Sequence, residues 1–105
     1  MPKTSPKSSA KTKTVPYDVA EQLRTPEEMA AYLDAWLTEA PEDASGIARA
    51  LGDIARAKGM SQVARDAGLS RESLYKALGE NGNPSFATIL KVAHALGVRL
   101  HAEAA

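Results

Sequence analysis

Between residues 29 and 40 the apolar side chains Met29, Leu33, Trp36, Leu37 and Ala40 recur every three or four positions, which is the spacing of one face of an α-helix. The same period returns in Ile47, Leu51, Ile54 and Ala55, and again in Phe86, Ile89, Leu90, Ala93 and Leu96. Two shorter runs lie between them, one through Val63 and Ala67, the other through Leu74 and Ala77. No stretch carries a strong strand signal and no segment repeats. The pattern predicts an all-α fold.

Polar punctuation sets the helix ends. Thr25 can cap, Pro26 suits a first helical position, and Glu27 and Glu28 favour the positive end of the helix dipole. Glu28 also stands three residues after Thr25, as a capping box requires. Pro41 ends that helix, and Glu42 or Asp43 opens the next, which Gly59 closes. Gly46 and Gly52 weaken its interior. Ser61 is expected to cap a short helix through Ala67, and Ser70 another from Arg71 to about Leu78. Residues 79–84, GENGNP, form a polar turn. Ser85 then caps the last helix, which Gly97 closes before a short extended tail over Val98–His101. Upstream, Val15–Val19 reads as extended or a turn, leading to a short helical piece around Ala20–Leu23.

The closely spaced pair of short helices carries the functional signal. In GMSQVARDAGLSRESLYKAL, residues 59–78, Ala64 stands four positions before Gly68. Two helices that cross at a steep angle over a three- or four-residue turn need a small residue at the crossing and a glycine in the turn. Val63, Ala67, Leu69, Leu74 and Ala77 are apolar where such a unit buries its inner side. A plain helical hairpin would suit the apolar pattern too. The helix before and the capped helix after favour a helix-turn-helix that reads DNA.

On that reading the outer face of the second helix presents Arg71, Glu72, Ser73, Tyr75 and Lys76, with Ser70 at its start. Arg71 and Lys76 are the expected base readers, since both donate to guanine acceptors. Glu72 can accept from cytosine or pair with Lys76 four residues on. Tyr75 can meet a phosphate or a thymine methyl, or pack partly inward. Ser61, Gln62 and Lys58 are candidate phosphate contacts.

Length and composition narrow the field. The chain has 105 residues, room for one modest core, and no cysteine, so neither disulfides nor thiolate metal sites arise. Its 13 basic and 13 acidic residues cancel but are unevenly placed. Residues 1–14 hold Lys3, Lys7, Lys11 and Lys13 without an acid, and are expected to be a disordered basic tail. Residues 15–43 hold one base, Arg24, against eight acids, and residues 44–105 hold eight bases against five acids. We expect three parts: the tail, an acidic helical segment over 15–41, and a DNA-binding domain over 42–101. The tail lacks the apolar core of a secretory signal and no apolar run spans a membrane, which suits a cytoplasmic protein.

From Tyr17 to Leu100 the chain resembles the probable addiction-module antidote proteins, HigA-like antitoxins with an Xre/Cro-type, phage-repressor helix-turn-helix. The resemblance is carried by YDVAEQL, EEMAAYLDAWL, ARALGDIARAKGMSQVARDAGLSRESLYKALGENGNPSF and TILKVAHALGVRL. It implies a phage-repressor-like domain of about five helices behind the acidic helix. It also implies a type II antitoxin that neutralises a small RelE/ParE-superfamily toxin and represses its own operon as a homodimer on a palindromic operator. One departure is plain. Many such repressors begin the motif's first helix with glutamine, where this chain has Met60, so that phosphate contact does not transfer to Gln62.

An RNA-cutting toxin needs a basic groove, so the acidic segment is the expected toxin contact, through Tyr17, Met29, Tyr32, Leu33 and Trp36. Trp36 is either an interface anchor or a core residue. His94 and His101 have no partners at ligand spacing, and the glycines of residues 79–82 lack a P-loop lysine. No enzyme, cofactor or metal site is expected. The runner-up function is an orphan or prophage transcriptional regulator without a toxin.

Overall fold

The computed structural model describes residues 23–105, which fold as five helices without a strand among them: α1 (Pro26–Glu39), α2 (Ala44–Lys58), α3 (Met60–Ala67), α4 (Arg71–Ala77) and α5 (Phe86–Leu96). The expected basic tail, the Val15–Val19 turn, Tyr17, and all of the Ala20–Leu23 piece but Leu23 lie outside the described residues. Leu23 itself is buried and not helical.

Most helix ends obey the punctuation. Thr25 accepts from the Glu28 N–H at 3.1 Å while the Glu28 carboxylate accepts from the Thr25 N–H at 3.0 Å, which closes the capping box. Asp43, rather than Glu42, caps α2 by accepting from the Gly46 N–H at 2.9 Å. Ser70 and Ser85 cap α4 and α5.

Ser61 does not cap α3. Gly59 ends α2 and begins α3 as well, at φ +118, and it has no side chain with which to cap. The chain turns so sharply there that Met60 is already helical and buried, leaving Ser61 exposed one position inside the helix.

The core gathers Leu51, Ile54 and Ala55 of α2, Val63 and Ala64 of α3, Leu74 and Leu78 around α4, and Val92 and Leu96 of α5. Leu23, Met29 and Leu33 join the same cluster. The acidic helix therefore shares this core and counts among the five helices, so that four follow it among the described residues where about five were expected. Burying a leucine side chain contributes about 1.5–3 kcal/mol, so α1 is held by Met29 and Leu33 and not by its charges.

Two expected apolar stripes are narrower than the sequence suggested. On α1, Leu37 is exposed and Trp36 half-buried. On α5, Val92, Ala93 and Leu96 face inward with half-buried Ile89, while Phe86 and Leu90 project outward.

Candidate nucleic-acid interface

The α3–α4 unit forms the crossing that its glycine and alanine require. Gly68 adopts φ +73, ψ +30, the left-handed region that an alanine enters only with strain. Its N–H donates to the Arg65 carbonyl at 3.2 Å, and the Leu69 N–H donates to the Ala64 carbonyl at 2.8 Å. These two bonds satisfy orphan carbonyls of the α3 terminus and reverse the chain within three residues. Ala64 is 3 % exposed and belongs to the core, so a larger side chain there needs its neighbours to shift.

Leu74, fully buried, pins α4 to the core and leaves Arg71, Glu72, Ser73, Tyr75 and Lys76 exposed. Ser70 accepts from the Ser73 N–H at 2.9 Å and donates its own hydroxyl hydrogen to Ser73 Oγ at 2.8 Å. Ser70 is thus occupied as a cap, whereas the Ser73 hydroxyl hydrogen is left for an outside acceptor. The Arg71 guanidinium lies over the Tyr75 ring, 5.2 Å from its centroid, and donates to the phenol oxygen at 3.3 Å. Tyr75 therefore lies under Arg71 and is not packed inward. Glu72 and Lys76 do not pair. Among the described residues the one salt bridge joins Arg56 to Asp53 at 3.4 Å.

Two of the three expected phosphate contacts are free at the start of α3. Ser61 and Gln62 are exposed, and Arg65, which the sequence reading passed over, is exposed one turn after Gln62. That spacing was the signal that could have found it. Lys58 is engaged elsewhere: its ammonium donates to the Ala95 carbonyl at 2.9 Å. The N–H groups of Gly97 and Val98 take His94 and Ala93. Three of the last four carbonyls of α5 thereby find partners. The pull of its apolar stem and the negative helix end draws Lys58 to α5.

The acidic helix offers a separate face. From Thr25 to Ala48 there is no lysine or arginine, while Glu27, Asp34, Glu39, Glu42 and Asp43 are exposed. Met29 and Leu33 are core residues and cannot meet a partner directly. Tyr32 is half-buried, and its phenol donates to Asp53 of α2 at 2.8 Å. Burial, then the Asp53 charge, pushes that phenol well above its ordinary range. Trp36 seats its ring against Gly46, where a Cβ would collide with it. Half-buried Trp36 and exposed Leu37 are the apolar groups this face can still offer.

None of the described helices is long and apolar enough to cross a membrane.

A protein from Haemophilus influenzae, described as uncharacterized, is 53% identical over 87 residues, covering 83% of this chain and 88% of that protein. No solved structure matches. The family profile of the probable addiction module antidote proteins matches residues 13–104. With nearly the whole chain covered, including both the acidic helix and the α3–α4 unit, this protein belongs to the probable addiction module antidote family.

Proposed function

We propose that the chain is the antitoxin of a type II toxin–antitoxin module. It neutralises a small RelE/ParE-superfamily toxin in the cytoplasm and, as a homodimer on a palindromic operator, represses its own operon. The observation that carries the DNA half is the exposed α4 face, with Arg71 and Lys76 in no salt bridge among the described residues and Leu74 anchoring the helix from below. An antidote requires a toxin, and the face of α1 supports a basic one. Its exposed carboxylates belong to a stretch without lysine or arginine from Thr25 to Ala48, which also carries Leu37 and Trp36. Complementary charge speeds encounter while an aromatic and a leucine supply apolar contact.

Arg71 and Lys76 read base edges, Tyr75 steadies Arg71, and Ser61, Gln62 and Ser73 hold phosphates. Ser70 and Lys58 support the unit from within. Glu72 reads a cytosine amine or disfavours a phosphate beside it.

Co-expression with the neighbouring gene tests the whole reading. Rescue of growth, co-purification of a small basic protein, and a mobility shift of the promoter fragment are expected. A promoter shift without rescue or co-purification would favour the orphan regulator, and rescue without a shift would remove the repressor role.

A further inference from the structure

The chain has two asparagines, and both stand in the loop between α4 and α5: Asn81, followed by Gly82, and Asn83, followed by Pro84. Both asparagines are exposed and neither is helical. The fold demands the glycine. A Cβ on Gly82 would run into the Ala77 carbonyl at the end of α4, so another residue fits there only if backbone moves. The Gly82 N–H donates to the Gly79 carbonyl at 3.0 Å, which closes a turn with Asn81 at its third position.

We propose that Asn81 is a site of spontaneous covalent modification, in which water converts its side-chain amide to a carboxylate. The backbone nitrogen of Gly82, once its proton has passed to water, attacks Cγ of Asn81. A C–N bond forms, the Cγ–Nδ2 bond breaks, and the amide nitrogen takes up a proton and leaves as ammonia. A five-membered cyclic imide remains. Water opens it at either carbonyl. Cleavage of the new bond leaves an aspartate at position 81, while cleavage at the backbone carbonyl of residue 81 leaves an isoaspartate, with the chain running through the side chain. Water enters and ammonia leaves, and nothing is oxidised or reduced.

Asparagine is a thermally labile residue, and the neighbours here select one of the two. Gly82 has no Cβ to shield its nitrogen, and exposure of Asn81 supplies the water. Asn83 is exposed alike but precedes a proline, whose nitrogen carries no proton to lose, so it cannot close the same ring. The bond to Gly79 opposes the reaction by holding the Gly82 proton. An exposed loop opens locally far more often than the core does, so this bond slows the reaction without preventing it.

The consequence rests on the operator-binding reading above. Gly82 abuts the carbonyl end of α4, the helix that carries Arg71 and Lys76. A carboxylate one residue away opposes the negative end of that helix and adds repulsion toward phosphates. The isoaspartate also lengthens the backbone between Gly79 and Gly82, which breaks their bond. Promoter affinity therefore falls as the chain ages, and fresh synthesis restores it.

Peptide mass mapping of the full chain, held at mildly alkaline pH and sampled over days, tests this beside a sample held in urea. The amide-to-acid mass change is expected at Asn81 and not at Asn83, with isoaspartate among the products and a faster course in urea. No conversion of Asn81 in the folded chain, or equal conversion of both asparagines, overturns the proposal. Asn81→Gln, whose longer side chain needs a less favoured six-membered ring, should resist through the same period; its conversion at the native rate would overturn the route. Mobility shifts then read the consequence. Aged native chain should lose promoter affinity while aged Asn81→Gln keeps it. Equal affinity of aged and fresh native chain removes the consequence and leaves the modification. Fresh chain that shifts no promoter fragment removes the operator reading, and the mass map still decides the modification.

Discussion

The Tyr32 phenol of α1 and the Asp53 carboxylate of α2 meet at 2.8 Å, half-buried, and Asp53 also receives Arg56 at 3.4 Å. This bond ties the acidic helix to the rest of the domain at the height where Leu33 enters the core. A hydrogen bond to a charged group contributes about 1.5–3 kcal/mol. Tyr32→Phe keeps the ring and removes the bond, so a loss at the lower end of that range is expected, read as a shifted urea midpoint with unchanged slope. Loss of cooperativity instead would mean that α1 detaches on its own.

The same phenol makes the fold sensitive to alkali. Its ordinary pKa is 10.0 and burial beside Asp53 raises it in the folded chain. The folded protein therefore keeps the proton more tightly than the unfolded one. The contribution is whole below about pH 10 and falls as pH rises from there toward the higher folded value. Urea midpoints measured between pH 8 and 11 should fall for the native chain and fall less steeply for Tyr32→Phe.

How far the sequence could be read follows from which forces are local. Capping boxes and glycine stops act over three or four residues, so Thr25, Ser70, Ser85 and Gly97 could be placed from their neighbours alone, while the cap of α2 was narrowed only to Glu42 or Asp43. Ser61 could not, because α3 starts a residue early when the core claims Met60, a long-range effect. Hydrophobic period likewise marks a stripe without its width: Leu37, Phe86 and Leu90 repeat at helical spacing, yet stand outside the area that four neighbouring helices cover. In the candidate site the exposed face of α4 was legible from spacing, whereas the stacking of Arg71 on Tyr75 and the diversion of Lys58 depend on side-chain geometry that spacing does not encode.

The turn at Gly68 should be intolerant for a backbone reason. Its φ of +73 leaves open space where a Cβ would go, so the cost is conformational and not a clash. A left-handed residue with a side chain costs roughly 1–2 kcal/mol. Gly68→Ala should lose about that much stability and Gly68→Asn less, measured by urea unfolding. Equal stability in both would mean that the turn relaxes into another conformation.

The Arg71–Tyr75 stack separates reading from steadying. Arg71→Ala should cost about 1–3 kcal/mol of operator affinity and relax preference at one base pair. Tyr75→Phe keeps the ring beneath the guanidinium and should lose little. Tyr75→Ala should weaken binding and broaden the same base position that Arg71 reads. Mobility shifts over single-base operator variants would register this; a change confined to a different position would show that Tyr75 contacts DNA independently.

Lys58 gives the sharpest separation between supporting the fold and binding DNA. Its ammonium sits at the negative end of α5, on the Ala95 carbonyl at 2.9 Å. A cation there contributes about 0.3–1 kcal/mol through the helix dipole, and up to about 2 where partly buried. Lys58→Met keeps most of the apolar stem and removes the charge, so the urea midpoint should drop by an amount of that order. A lysine on a phosphate behaves otherwise: its removal lowers the slope of log affinity against log salt by about one. For Lys58→Met that slope should equal the native one, whereas Lys76→Met, which leaves the fold intact, should either reduce it or broaden a base preference. An unchanged midpoint with a shallower slope for Lys58→Met would return Lys58 to the nucleic-acid face.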